Sequence, residues 1–453
     1  MNSKGMREDA QGRHTAPVDI SASEIMPSLF DDNSPCMNSR NGTSDLGGKQ
    51  KIRFREPRHI FCRSFDYVWQ SLRTHFCHSS VAQTIPKAAV QPVANWWRCK
   101  SASLTFIAIC AKIPTMEANN TRNQHFLAQV DQRLNALNPH AHKDNQRIYS
   151  FKIANRESYL LELENPKGNL IERNLSVFDL FSFDVLDDNN LRYNFESLFQ
   201  RYEGYIETHT KSLLAKLNAG DHDVKAEIID LFAAKLINFV RNPFCIQKVL
   251  NTFTGIASYD PTDRTLLASY RRIVNGKKPQ QEYLCHTLGI SDLQYIEWLR
   301  LLFMLLTPMS TGHTNFFDDI IKHILEDRKN YIAAIVCEYE NACCLLSDRG
   351  FSQPIENDAH MGFSFNLCST AFVHYFVCDP AVLLKNKAHP EFLAYALAAR
   401  EKLWPPQINV TFFRNDLNML AQYNRRVVEQ CYKRVFCAAK NNLILFEPRL
   451  ATK

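Results

Sequence analysis

Val224-Lys-Ala-Glu-Ile-Ile-Asp-Leu-Phe-Ala-Ala-Lys-Leu-Ile-Asn-Phe-Val-Arg-Asn-Pro243 is the stretch that decides the fold class of this chain. Val224, Ile228, Leu231, Phe232, Leu236 and Phe239 recur at the spacing of one helix face. Asn242-Pro243 stops the pattern, because proline lacks an N–H and disfavours helical backbone just before it. Working outward, helices also fit 195–217, 262–274, 280–306 and 315–330. From Tyr331 the texture changes. Ile332 to Tyr339 and Ala342 to Leu346 read as strands running into a Ser347-Asp348-Arg349-Gly350 turn, and Phe363 to Leu367 and Ala371 to Val377 as further short strands. The capping pair Asn415-Asp416 opens a last helix expected to run from Leu417 to Ala438.

On the N-terminal side, Phe126, Val130, Leu134 and Leu137 predict a helix from Thr121 to Asn138-Pro139. Arg147 to Ile153 alternates, with Tyr149, Phe151 and Ile153 on one face of a strand. Tyr159 to Glu164 and Asn169 to Arg173 flank Asn165-Pro166-Lys167-Gly168, a hairpin turn by composition. Ser176, with Asp179 three residues on, reads as a capping box before the next helix. The expected fold class is α+β, predominantly α-helical, with short strands near both ends of one folded domain.

With 45% hydrophobic and 22% charged residues among 453, the chain has the composition of a globular protein that buries its core without disulfides or metals. Its formal charge of +6 is unevenly placed. Residues 1–115 hold 15 Lys+Arg against 9 Asp+Glu, so the rest of the chain carries 38 of each and no net cationic field for nucleic acid. Residues 1–115 also lack sustained periodicity, and pattern begins at Met116, the expected natural start; a disordered regulatory arm is the alternative. Within that segment His59, Cys62, Cys77 and His78 have metal-ligand chemistry, but adjacent Cys77-His78 strains a tetrahedral site. The 14 cysteines are scattered, without the spacing of a zinc module, and read as buried free thiols. The apolar run Leu301 to Leu306 is far shorter than the ~20 residues a spanning helix needs.

No P-loop, Gly-x-Gly-x-x-Gly, Gly-x-Ser-x-Gly or His-Glu-x-x-His occurs, which disfavours standard ATPase and dinucleotide chemistry. The candidates are therefore single polar residues. Asn424 falls inside the apolar stripe of the last helix, formed by Leu417, Leu420, Ala421, Val427, Val428, Cys431 and Val435. A carboxamide facing a core costs about 1–3 kcal/mol per unmet group. Asn424 thus either ties neighbouring backbone into the fold or lines a polar pocket. His125, in the first turn of the expected first helix, is either a locally bonded side chain or a proton-transfer group. Asp348 is a turn former or a working carboxylate, and Arg241 a helix cap or an anion ligand. His140-Ala141-His142 lacks a third ligand, and Asp319 with His323 reads as a solvated helix face or a metal-sharing pair. No metal site is expected.

Gln124-His125-Phe126-Leu127, Arg147-Ile148-Tyr149-Ser150-Phe151, Phe239-Val240-Arg241-Asn242-Pro243, Leu346-Ser347-Asp348 and the segment Asn424 to Phe436 stand in this order along the chain. In that order they resemble the motifs of the bacterial family called domain of unknown function 4238. Those motifs are a Gln-His-aromatic opening, a strand around Tyr, a helix ending in Arg before Pro, a Ser-Asp strand exit, and a closing helix. The resemblance covers about 122 to 438. It departs from the family at Ala128-Gln129-Val130, where proline and aromatics are frequent, and at Arg349-Gly350, where Asn-Pro often follows the Ser-Asp pair. His125, Arg241, Asp348 and Asn424 stand at matching positions, and the resemblance implies a common site with these four as catalytic candidates. Some members look like single-gene, prophage-carried antiphage defence proteins. The resemblance thus implies a cytoplasmic antiphage protein of bacteria, with no assigned reaction or cofactor. Its implied partner is a phage-derived protein or nucleic acid, and no membrane. Two other functions compete with it: a hydrolase, such as a nuclease, using a His/Asp/Asn pocket, and a protein-binding module without catalysis.

Overall fold

The structure is a computed structural model. It describes residues 118–446 except 187–190, 255, 257–258, 262, 309–313, 327–329, 354–359, 380, 383–389 and 402–407. Residues 1–115, the expected start at Met116 and the His59, Cys62, Cys77 and His78 set lie outside the described residues. All described residues fall within one compact unit.

The architecture is α+β. In chain order β1 (Asn123–His125) leads into the short helix α1 (Gln129–Arg133), then β2 (Arg147–Asn155), β3 (Leu160–Leu163), β4 (Asn169–Leu170), β5 (Ser176–Phe178), β6 (Phe183–Leu186) and β7 (Leu191–Tyr193). A helical middle follows: α2 (Glu196–Glu203), α3 (Ile206–Asn218), α4 (Lys225–Arg241), α5 (Ile246–Thr252), α6 (Arg264–Asn275), α7 (Gln281–Leu288), α8 (Asp292–Leu306) and α9 (Phe316–Glu326). Then come β8 (Tyr331–Glu338), β9 (Leu346–Ser347), β10 (His360–Cys368), β11 (Ala371–Cys378), α10 (Pro390–Glu401), β12 (Ile408–Arg414), α11 (Leu417–Gln430) and β13 (Arg434–Cys437).

Helix α4 is the axis of the larger core. Every residue from Leu231 to Arg241 is buried, so this helix is enclosed all round, not packed by one face. Around it stand α8, with the buried run Leu301 to Leu306, and the sheet of strand order β10-β11-β8-β12. Strand β8 pairs antiparallel with β11 (Tyr331↔Cys378 to Glu338↔Ala371) and parallel with β12 (Ile408↔Ile332 to Arg414↔Glu338). Its Ile332, Ala334 and Val336 face the α4 core. A second core forms between α11 and the sheet β3-β2-β13-β9, from Phe151, Leu345, Tyr423, Val427 and Val435. The rings of Phe372 and Tyr423 stack at 4.2 Å and anchor α11 to the end of β11.

Several local expectations change. The helix expected from Thr121 is strand β1, paired antiparallel with β5 (Asn123↔Phe178, His125↔Ser176), followed by only five helical residues. The side chain of Gln124 explains the override. Its amide donates to Thr121 O and Ser182 Oγ and its oxygen accepts the Phe181 N–H, which holds the segment extended. The Ser176/Asp179 capping box does not form. Ser176 lies in β5, and Asp179 takes a left-handed conformation with its buried carboxylate on Ser182 Oγ and Arg192 Nε. Strands β3 and β4 are not a hairpin; both pair with β2, end to end along one edge (Phe151↔Leu163, Ile148↔Asn169). Of the strand expected at Ala342 to Leu346 only Leu346 pairs, in the two-residue β9. The last helix ends at Gln430, and Arg434 to Cys437 pair with β2 instead.

Candidate functional site

Helix α4 carries three polar side chains at three-residue spacing, Lys235, Asn238 and Arg241, in its most enclosed part. They form a continuous line. Lys235 Nζ pairs with Asp131 of α1 and donates to Asn366 O at 2.7 Å. Asn238 Nδ2 donates to Asp131 Oδ2 at 3.1 Å, and Arg241 Nη2 to Asn238 Oδ1 at 2.9 Å. Arg241 Nη1 pairs with Glu203 Oε1. Beyond Asp131, Asn135 and Asn366 exchange carboxamide hydrogen bonds of 2.7 and 3.1 Å.

Arg241 is neither a helix cap nor exposed. It is 1% accessible, and its guanidinium lies over the Phe199 ring, 5.2 Å from the centroid. Glu196, Phe199 and Glu203 are three and four residues apart on α2, so they share one helix face turned towards Arg241. Glu203 is bonded to the guanidinium, but Glu196 Oε1 is enclosed and finds no hydrogen-bond partner among the described residues. Arg241 Nε is in the same position. Burial pushes the Glu196 carboxyl up to about 7; neighbouring Glu203 adds to this and Arg241 opposes it. The protonated form of this carboxyl is therefore favoured well above the usual carboxylate range.

His125 borders the same cluster. It is 7% accessible, and burial pulls its imidazole down to about 4, with Arg241 and Arg133 both disfavouring the imidazolium. The backbone at Ile171 and Glu172 opposes the fall. Gln129 Nε2 lies 3.2 Å from Nδ1 and 3.3 Å from Nε2. One donor cannot lie along the lone-pair directions of both ring nitrogens, so this contact is a poor hydrogen bond to either. Gln129 Oε1 in turn accepts from Arg133, whose Nε is also enclosed without a partner.

The structure brings His125 and Arg241 within electrostatic reach of one another. The other two candidates are committed elsewhere. Asp348 accepts the N–H groups of Tyr432 (2.8 Å), Lys433 (2.8 Å) and Arg434 (3.0 Å) and so turns the chain from α11 into β13. Burial raises its carboxyl, and those three backbone donors oppose the rise. Asn424 accepts from Leu345 N and donates to Cys343 O and Ile444 O, at 2.9, 3.2 and 3.0 Å. Its carboxamide ties backbone into the second core. The Ser347-Asp348-Arg349-Gly350 turn does touch the polar line through its backbone. Asn242 Nδ2 donates to Asp348 O, and Gly350, at φ +79°, approaches so closely that an added Cβ would lie 2.7 Å from Leu127 and 2.9 Å from the Cβ of Asn238.

Glu196, Glu203, Arg133, Lys235 and Asn238 were not singled out from the sequence. Polar residues at three-residue spacing inside an apolar helix were a readable signal for Lys235, Asn238 and Arg241. Glu196 and Glu203 gain their meaning only from contact with Arg241, some forty residues away. Asp319 accepts from Thr314 Oγ1, and exposed His142 lies 3.2 Å from Asp144. Among the described residues no group of three or more His, Cys, Asp or Glu could hold a metal ion, and no helix is long and apolar enough to cross a membrane. The nine described cysteines are free, and seven of them are buried. An open groove lined by Asn341, Leu417 and Asn442 to Phe446 carries no charged side chain and no chemistry of its own.

No protein-family model matches the chain, and no curated protein or solved structure is detectably similar to it.

Proposed function

We propose that this protein is a bacterial antiphage defence protein acting in the cytosol, and that it works by acid–base hydrolysis at the Arg241 cluster. The setting rests on the ordered motifs between about 122 and 438 that resemble domain of unknown function 4238. The chemistry rests on one observation: the enclosed, unpartnered Glu196 carboxyl beside Arg241, with a neutral His125 bordering the same guanidinium. An acid that still holds its proton near neutrality and a base that is free of one are the two groups a hydrolysis needs. His125 takes a proton from the attacking water as the water's oxygen bonds to the substrate. Glu196 gives its proton to the oxygen that leaves, and Arg241 steadies the negative charge that develops between them. Asp348 and Asn424 hold backbone in this reading and touch no substrate.

Plaque counts across a broad phage panel test both halves. Cells expressing the protein should form fewer plaques for at least one phage, and Glu196→Gln and His125→Ala should each abolish that protection while the protein still accumulates. No reduction for any phage at confirmed expression overturns the defence reading. Full protection by both variants overturns the site and points to a binding surface instead.

A further inference from the structure

Residues 264–281 hold five Lys and Arg and no Asp or Glu, although the chain beyond residue 115 carries the two signs in equal number. Three of these cations lie on α6. At ~100° per residue, Arg264, Ala268, Arg271 and Asn275 fall on one line along the helix, and Arg272 borders it. Those five residues are exposed. Leu266, Tyr270 and Ile273 fall on the opposite side and are buried. Helix geometry and burial thus agree that the three arginines share one outward face.

That face is held in place at both ends. Asp263 caps the helix by accepting the N–H groups of Thr265 and Leu266, at 2.9 and 3.0 Å. Past the other end, Lys278 Nζ donates to Gly276 O at 2.9 Å, and Val185 N to Lys277 O at 3.1 Å. Gly276 lies so close to β6 that an added Cβ would stand 2.6 Å from Asp184 Cα. Two acids border the face. Asp263 is spent on the helix N-terminus, and Asp184 lies 3.6 Å from Arg272, which also covers the Tyr193 ring. Among the described residues neither Arg264 nor Arg271 has a carboxylate at ion-pair distance. Exposed faces elsewhere mix the signs: Lys211 pairs with Glu207 on α3, and Lys322 with Glu326 on α9.

A line of guanidiniums complements a line of negative charge. Arg264 and Arg271 stand about 10 Å apart along the axis, a length over which a duplex presents several phosphates. Guanidinium N–H groups match phosphate oxygens. Between the arginines stand Ala268 and, beside it, Thr265, small enough for the helix to lie close to a backbone. No aromatic ring stands on this face for an unpaired base to stack on. No large apolar side chain stands there to enter a bilayer. Both features favour a duplex over a single strand or an anionic membrane.

We propose that the exposed face of α6 docks on the phosphate backbone of a nucleic-acid duplex through Arg264, Arg271 and Arg272. The inference goes beyond the acid–base reading and does not depend on it, since no residue of α6 belongs to that site.

Fluorescence anisotropy of the full chain with a labelled, mixed-sequence DNA duplex tests it, between about 50 and 200 mM salt. The same strand unpaired, polyglutamate and phosphatidylserine vesicles serve as competing ligands. The duplex should bind most tightly. The double variant Arg264→Gln/Arg271→Gln keeps helix propensity and touches no buried residue, so its unfolding midpoint should match the parent. It should bind the duplex roughly tenfold more weakly per arginine at the lower salt, with a log–log salt slope shallower by about 2. Lys211→Gln/Lys322→Gln removes the same charge from α3 and α9 and should leave binding within about twofold. Comparing the two variants in the full chain cancels the net positive charge of residues 1–115. No duplex binding at the lower salt, unchanged binding in the arginine variant, or an equal loss in the lysine variant would each overturn the proposal. Equal or tighter binding of the single strand, polyglutamate or vesicles would overturn it in favour of that partner.

Discussion

Replacing Glu196 with glutamine isolates the electrostatic claim at the centre of the site. Glutamine keeps the shape and neutrality of the protonated carboxyl and cannot ionise. In the folded protein the carboxyl is pushed from its ordinary 4.5 to about 7. Below the unfolded value both states are protonated and the residue contributes nothing to pH dependence. Above 7 both are ionised, and the folded state bears the whole cost of a buried carboxylate. Stability must therefore fall as pH rises between 4.5 and 7, the range in which the folded state holds more protons than the unfolded one. At about 1.4 kcal/mol per pH unit of displacement, the loss approaches ~3 kcal/mol by pH 8. The assay is urea unfolding of parent and Glu196→Gln at pH 4.5, 6, 7 and 8, read as the difference between the two proteins, so that every other titrating group cancels. That difference should be small at pH 4.5 and should grow in favour of the variant by ~2–3 kcal/mol at pH 8. Parallel stability curves would mean that Glu196 titrates as an ordinary exposed carboxyl, and the neutral-acid argument would fail with it.

Three other outcomes follow from the same region. His125→Gln should remove a pH dependence of opposite sense: with the folded imidazole held near 4, the parent should lose ~3 kcal/mol relative to the variant as pH falls from 6.5 to 4, and a constant gap in urea titrations across that range would refute it. Lys235→Met strands the buried Asp131 carboxylate and should destabilise by roughly 3–5 kcal/mol; a loss below ~1 kcal/mol in denaturant unfolding would show that the pair is solvated. Gly350→Ala places a Cβ against Leu127 and Asn238 at a left-handed φ and should cost about 1–3 kcal/mol; an unchanged unfolding midpoint would show that the turn shifts freely away from α4.

How much of this could be read from the chain depends on where the determining contacts lie. The apolar stripe of α4 and its stop at Asn242-Pro243 are local, and the helix runs from Lys225 to Arg241 as the spacing requires. Strands β8, β10 and β11 likewise show in their own apolar runs. Strand β12 carries an alternation too, in Ile408, Val410 and Phe412, but it is short and its pairing with β8 is parallel and distant. The segment at Gln124 misleads because its helical spacing is genuine, yet one carboxamide bonding Thr121, Phe181 and Ser182 outweighs it. The end of α11 misleads for a similar reason. Val435 continues the helical stripe, but the Asp348 carboxylate collects three successive N–H groups and turns the chain into a strand. In the site, His125 stood out for its proton-transfer chemistry and Arg241 for its place before Asn242-Pro243. Glu196, on a partly exposed helix, carries no local mark at all.

The polar line on α4 also separates two explanations for buried charge. A pair such as Lys235–Asp131 contributes little net stability, since well-packed apolar residues of similar volume are often as good or better. If the line served packing alone, its hydrogen bonds should close, as they do where Asn135 meets Asn366 and where Asp318 meets Arg201, Tyr202 and Asn315. They close at the Lys235 end and fail at the Arg241 end. Each unmet enclosed group costs about 1–3 kcal/mol. Arg349 shows a second case: its Nε and one terminal nitrogen also lack partners, and its guanidinium lies against the Phe351 and Tyr432 rings. Aromatic faces offset part of its charge, as Phe199 does for Arg241. At Arg241 the unmet Nε of α4 and the unmet Glu196 Oε1 of α2 do not pair with each other. An unmet donor and an unmet acid oxygen beside one buried guanidinium are what place the proposed acid–base site at this end of the line.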